Sequence, residues 1–305
     1  MTTKTFVGIV GTTSVGKSAV GVELAKLLHT EVVSADSMQI YKGMDIGTAK
    51  ITESEMDGVK HHMIDVTEPN CNYSSFLYQQ EASRIVDGIS SVPLVVGGTG
   101  FYLDSLLYPP EFGSGGEERR LQLKTILDTQ GIETLQDMLR ELDPQTYAAI
   151  DLCNHKRLIR AIEIAENGKK KSEGTLKKKI PRYDCKLFVL ERNREELYVR
   201  IDARVDEMMK AGLIDEVKAL VSKYGICDTT AYSAIGYKEL IAYLNGDCDL
   251  EYAVDKIKLN TRHYAKRQIT YFKKMPTIEH IDVEGRSPLS IAQHIYDILS
   301  TMNLA

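Results

Sequence analysis

Residues Gly11-Thr12-Thr13-Ser14-Val15-Gly16-Lys17-Ser18 fit the eight-position pattern of Gly, four residues, Gly, Lys and Ser or Thr. Each position has a mechanical task. The glycines let the backbone curl around phosphate oxygens, Lys17 neutralises them, and the Ser18 hydroxyl can ligate Mg²⁺. Such a P-loop binds the diphosphate or triphosphate end of a small molecule. Two further groups could act on what it holds. Asp36, in Ser34-Ala35-Asp36-Ser37-Met38-Gln39, follows an apolar run, where a carboxylate can serve as a base, ligate a metal or cap the next turn. Thr99, in Gly97-Gly98-Thr99-Gly100, projects one hydroxyl from a turn otherwise stripped of side chains. It is either a hydrogen-bond donor to a ligand or part of a tight strand-to-helix turn. Finally, Thr261 to Lys274 concentrates cations and aromatic rings on a predicted helix, with Arg262 and Lys266 on one face. That suits phosphate contacts and base stacking, or else a solvated helix with buried rings.

The elements that must position these groups follow from hydrophobic patterning. Short apolar runs at Phe6–Val10, Val32–Val33, His61–Val66 and Pro93–Val96 alternate with helical stretches, among them 73–89. This predicts an α/β fold: a P-loop-type parallel sheet covered by helices on both faces. After Pro109-Pro110, Gly113-Ser114-Gly115-Gly116 reads as a hinge, and Leu121–Ile164 as a small all-helical insertion. The insertion ends in a basic stretch, Gly168–Arg182, carrying Lys169, Lys170, Lys171, Lys177, Lys178 and Lys179. Leu187–Leu190 resumes the sheet, Asn193 caps a long helix through Met209, and Thr277–Val283 is a late strand. The core is therefore expected at 1–112 and 185–305, with the insertion at 113–184.

The 305 residues carry 43 acidic and 38 basic side chains, a net charge of -5, so any nucleic-acid surface must be local. The five cysteines are scattered without zinc spacing or a disulfide framework, and no apolar stretch is long enough to span a membrane. A cytoplasmic, monomeric protein that contacts no membrane is the expectation.

Taken together, these residues resemble one family over nearly the whole chain, the bacterial tRNA dimethylallyltransferases. The resemblance rests on the P-loop, on Asp36–Tyr41 with Met44–Lys50, on His61-His62 and on Gly97–Tyr102. It continues through Arg157–Ile164, Arg204–Val217, Ala234–Glu239 and Arg262–Phe272. It implies transfer of a dimethylallyl group from dimethylallyl diphosphate to the N6 amine of the adenosine 3′-adjacent to the anticodon, with Mg²⁺ and without phosphoryl transfer. Asp36 would be the base. Thr99 would hydrogen-bond the bridging oxygen or the diphosphate, and the P-loop with Arg204 would bind the leaving group. Ser37, Met38 and Gln39 would hold a flipped adenine. Arg120, the run Lys156-Arg157-Leu158-Ile159-Arg160 and the run Lys266-Arg267-Gln268-Ile269-Thr270-Tyr271-Phe272-Lys273 match positions that grip tRNA. The chain departs from the family's usual residues at Thr12 (commonly Pro), Ser14 (Ala), Phe101 (Leu) and Tyr271 (Trp), none of which removes a charged or proton-transferring group. Competing readings are a small-molecule P-loop kinase, which would need ATP and an acceptor hydroxyl, an adenylate isopentenyltransferase, and a nucleotide switch or RNA-binding module without catalysis.

Overall fold

The structure is a computed structural model that describes residues 4–108, 117–167, 180–275 and 278–305. The predicted hinge 113–116 and most of the basic stretch 168–182 lie outside them. The chain folds as two compact units, residues 1–107 with 182–305, and residues 108–181.

In the first unit six strands form one all-parallel sheet in the order β3-β2-β4-β1-β5-β6. They are β1 (Thr5–Gly11), β2 (Val32–Ser34), β3 (His61–His62), β4 (Leu94–Gly97), β5 (Asp184–Glu191) and β6 (Ile278–Asp282). The period of two sends alternate side chains to opposite faces. Val7, Ile9, Leu94, Val96, Phe188 and Leu190 meet the apolar sides of α1 (Lys17–Leu27) and α13 (Pro288–Thr301). On the other face Phe6, Val10, Val33 and Val95 are also buried, and α3 (Ser75–Gly88) packs there against α4 (Gly100–Leu107). Tyr78 stacks on Tyr102 at 3.9 Å and donates to the Ser34 carbonyl at 3.0 Å. Burial on both faces explains why the strands read as continuous apolar runs.

One strand is shorter than its apolar run. Only His61 and His62 pair, because Met63 (φ 62°) and Asp65 (φ 54°) take left-handed conformations that end the extended backbone. Val66 instead donates to the Ile40 carbonyl. Asn193 does cap the helix after β5: its side chain accepts from Glu195 N at 2.8 Å, and α9 (Arg194–Lys210) follows. The rest of this unit comprises the short α2 (Glu53–Met56), α10 (Leu213–Tyr224), α11 (Tyr237–Leu244) and α12 (Leu250–Phe272).

The described residues of the second unit form α5 (Glu117–Gln130), α6 (Ile132–Leu142), α7 (Pro144–Ala149) and α8 (His155–Glu166) around Leu123, Leu135, Leu139, Leu158 and Ile162. Asp143 caps α7 through Thr146 N, with Pro144 at the first helical position, where its missing N–H costs nothing. Arg182 N and the Leu107 carbonyl, which flank this unit in sequence, are joined at 2.7 Å. No described helix is long and apolar enough to cross a membrane.

Candidate active site

The loop between β1 and α1 is arranged for an anion. Gly16 caps α1 with φ 107° and supplies no side-chain acceptor, so the first helical amides are left for a ligand. Ser14 holds φ 62°, and its buried Oγ has no hydrogen-bond partner among the described residues. An orphaned buried hydroxyl in this loop is satisfied when an acceptor arrives. Lys17 donates from Nζ to the Thr12 carbonyl at 2.6 Å. Burial pulls its pKa down to about 8, with Asp36 opposing the shift and Arg204 adding to it. Arg204 is itself desolvated, which lowers its pKa against the attraction of Asp36. Two desolvated cations therefore line one cavity of about 750 Å³.

Asp36 lines the same cavity. One of its oxygens accepts from Met38 N at 2.9 Å, the contact of a turn cap. Ser37, Met38 and Gln39 also line the cavity. Thr99 is fixed behind Ser37. Its N–H donates to Ala35 O at 3.0 Å, its Oγ1 accepts from Ser37 N at 3.0 Å, and its hydroxyl donates to Ser37 Oγ at 3.2 Å. To serve a diphosphate, that hydroxyl must exchange Ser37 for the ligand.

Helix α12 closes this side of the site, and it does so with residues that the sequence reading gave to RNA. Gln268, 6 % exposed, accepts from Thr13 N at 2.9 Å and donates to Gly98 O at 2.8 Å. One amide thereby joins the phosphate loop to the β4 turn. Tyr271 donates to Gly100 O at 2.9 Å. Phe272 is 2 % exposed, and Ile269 packs beside Leu197, Ile201 and Ala265. Arg262 pairs with Asp202 of α9 at 3.1 Å. The side chains of Gln268 and Phe272 are thus interior, and Tyr271 and Ile269 face packing partners. Lys266, Arg267, Thr270 and Lys273 are exposed. The closeness of α12 to the turn explains Gly100, where a Cβ would lie 2.2 Å from the Tyr271 ring. Gly100→Ala is expected to destabilise the protein by ~1–3 kcal/mol through overpacking. An unchanged denaturant midpoint would show that the ring is free to move.

Three residues not singled out in the sequence help build the site. Tyr264 lies beside Thr99 and Gln268, and burial with the nearby Asp36 pushes its phenol up to about 12. A signal for it existed: Ile257, Thr261, Tyr264 and Gln268 recur at helical spacing and all line the cavity. Arg200 donates to Ser14 O at 3.2 Å. Glu216 accepts from the amides of Asp45, Ile46 and Gly47 at 2.9, 2.7 and 3.1 Å and from the Tyr237 hydroxyl at 2.6 Å. Lys50 is buried against Asp45, Asp65 and the Tyr41 carbonyl. These contacts hold the 45–50 loop, of which Gly47, Thr48 and Ala49 line the cavity.

In the helical unit, Glu163 is buried between Arg120 (3.0 and 3.1 Å) and Arg160 (3.0 Å). Burial raises its pKa, but the two guanidiniums outweigh this and hold the carboxyl below its ordinary range. Leu158 and Ile159 belong to the core of this unit, so their side chains do not face solvent. Lys156 and Arg157 are exposed.

The model of the family described as IPP transferase matches residues 39–275, and that of the family described as isopentenyl transferase matches residues 5–70. A tRNA dimethylallyltransferase from Caldanaerobacter subterraneus subsp. tengcongensis is 43% identical, covering 96% of each chain. Among solved structures, the full-length tRNA isopentenylpyrophosphate transferase of Bacillus halodurans is 39% identical, covering 98% of this chain and 96% of its own, with a TM-score of 0.74. A eukaryotic dimethylallyltransferase described as acting on tRNA is 28% identical, covering 99% of this chain and 80% of its own, with a TM-score of 0.86. With its parallel sheet, its glycine-rich 11–18 loop sharing a cavity with Asp36 and these matches along nearly its full length, the chain belongs to the IPP transferase family, the family of the tRNA dimethylallyltransferases.

Proposed function

We propose that the protein transfers a dimethylallyl group from dimethylallyl diphosphate to the N6 amine of the adenosine 3′-adjacent to the anticodon in tRNA, releasing diphosphate. The observation that carries this reading is that Asp36 shares one cavity with the phosphate loop and with two desolvated cations, Lys17 and Arg204.

An exocyclic adenine amine is a weak nucleophile because its lone pair is delocalised into the ring. As N6 forms a bond to C1 of the prenyl chain, the bond from C1 to the bridging oxygen breaks and the nitrogen acquires positive charge. Asp36 takes the proton, a role typically worth ~10²–10⁴ in rate. Negative charge builds at the same time on the departing diphosphate. The α1 amides, Lys17 and Arg204 neutralise it, and the desolvation of both cations makes each contact stronger than in water. Thr99 supplies a hydroxyl to the bridging oxygen once it leaves Ser37, and Tyr264 and Gln268 fix its position. Ser37, Met38 and Gln39 border the space for the extruded base.

Mg²⁺ fits the donor set in one way. No described cluster of three His, Cys, Asp or Glu residues could hold a metal ion. The Ser18 hydroxyl, in the first turn of α1, would hold Mg²⁺ together with diphosphate oxygens, and the ion would add to the neutralisation of the leaving group.

On the RNA side, the exposed cations Lys266 and Arg267 of α12, Lys273 at its C-terminal cap, and Lys156 and Arg157 of α8 offer phosphate contacts. Arg120 and Arg160 contribute field rather than free donors while they hold Glu163. The tRNA substrate and the five free cysteines suit a cytoplasmic enzyme.

The test is incubation with unmodified tRNA, Mg²⁺ and dimethylallyl diphosphate, and in parallel with ATP, followed by mass analysis of the nucleosides and measurement of ATP turnover. One dimethylallyl mass on adenosine is the expected product. ATP turnover with no prenyl adduct would instead identify a kinase.

A further inference from the structure

Phe101 stands out on the surface of the first unit. It is a large apolar side chain with 76 % of its surface exposed, in the first turn of α4. The backbone that carries the ring is anchored. The next residue, Tyr102, is buried on Tyr78. The nearby Tyr271 ring, with centroids 6.4 Å apart and planes at 54°, is held by its hydrogen bond to Gly100 and lies edge-on to buried Phe272. An exposed aromatic ring on an anchored stretch of backbone is thus presented to water two residues beyond Thr99, at a Cα separation of no more than ~7 Å.

Its surroundings indicate what would cover it. Helical spacing places Arg267 on the same side of α12 as Tyr271, four residues before it, and Lys266, Thr270 and, just past the end of the helix, Lys273 and Lys274 are exposed. Aromatic faces among cations are how proteins hold unpaired nucleotides: the backbone lies along the charge and the base stacks on the ring. An adenosine extruded into the cavity leaves its neighbours in the strand without a stacking partner on one side. Phe101 sits within about one nucleotide's reach of the turn where that adenosine must enter.

We infer that Phe101 is the stacking platform for the base of a nucleotide flanking the target adenosine. This rests on the proposed RNA substrate and adds a residue outside the phosphate loop and distinct from Asp36 and Thr99. Stacking is neutral, so Phe101 contributes affinity without contributing to salt dependence.

The experiment is a binding and kinetic comparison of Phe101→Ala and Phe101→Trp with the unsubstituted protein, using an unmodified anticodon stem-loop RNA and two versions made abasic on one or the other side of the target adenosine. Phe101→Ala is expected to weaken RNA binding about ten- to hundredfold. The salt slope, the KM for dimethylallyl diphosphate, kcat at saturating RNA and the thermal midpoint should not change. Phe101→Trp should retain full affinity. One of the abasic RNAs should bind the unsubstituted protein as weakly as Phe101→Ala binds intact RNA, and combining the two should cost nothing more, the non-additivity of a direct contact. Unchanged RNA affinity in Phe101→Ala overturns the inference. So does a rise in the KM for the prenyl diphosphate, which would put the prenyl chain on this ring, or a fall in thermal midpoint, which would make the ring a packing element. Binding is read without turnover, so failure of prenyl transfer by the unsubstituted protein sinks the proposed reaction and leaves this contact independently decided.

Discussion

Replacing Asp36 by Asn is expected to reduce turnover ~10²–10⁴-fold while the affinity for dimethylallyl diphosphate is retained. The amide keeps the shape of the carboxylate, and its oxygen can still accept from Met38 N, so the turn that carries Ser37, Met38 and Gln39 is preserved. What is lost is the ability to take a proton from the adenine amine. Single-turnover measurement of prenyl transfer, with pyrophosphate binding followed by calorimetry, separates the two effects. Full rate in Asp36→Asn would leave Asp36 as a turn residue and move the base elsewhere.

The second large effect belongs to Lys17. Lys17→Met is expected to lower kcat/KM ~10²–10³-fold, the usual result of removing one preorganised donor from developing negative charge. A pH dependence accompanies it. In the unliganded protein burial lowers the ammonium's pKa to about 8. Below that pH the charged form is present and diphosphate binds with full strength. As pH rises through about 8 the free protein loses the proton, and binding must restore it, so affinity falls by up to about tenfold per pH unit. Calorimetry with pyrophosphate in buffers of different ionisation heat should show proton uptake above pH 8, and Lys17→Met should show none. A flat affinity from pH 7 to 10 would mean that Lys17 remains charged in the free protein.

How much of this was legible in the sequence depends on distance along the chain. The phosphate loop is a contiguous motif, and Asp36 and Thr99 follow strands that betray themselves by apolar runs, so both could be placed at one edge of the sheet. The His61–Val66 run misled because composition does not report φ, and two left-handed residues stop the strand after His62. Gln268 and Tyr271 have structural partners that the sequence did not show, for another reason. On a basic helix a polar or aromatic side chain looks available, and only the fold reveals that Gln268 reaches Thr13 and Gly98 across the molecule. The same holds for Glu216, whose carboxylate gathers three amides of a loop about 170 residues earlier in the chain. Arg120 and Arg160 were visible as cations, but Glu163, buried and paired with both, was not visible as their partner.

The hydrogen bond from Arg182 N to Leu107 O has a consequence for how this chain can change over time. It brings together the two points where the polypeptide leaves the α/β unit and returns to it, and a gap so narrow can be closed by a splice of a few residues or by a segment of any length. Closing a long loop costs little more than closing a short one. The helical unit is therefore a cassette: it can be lengthened, exchanged or deleted by a single genetic event at one locus, without altering the strand order that holds Asp36 over the phosphate loop.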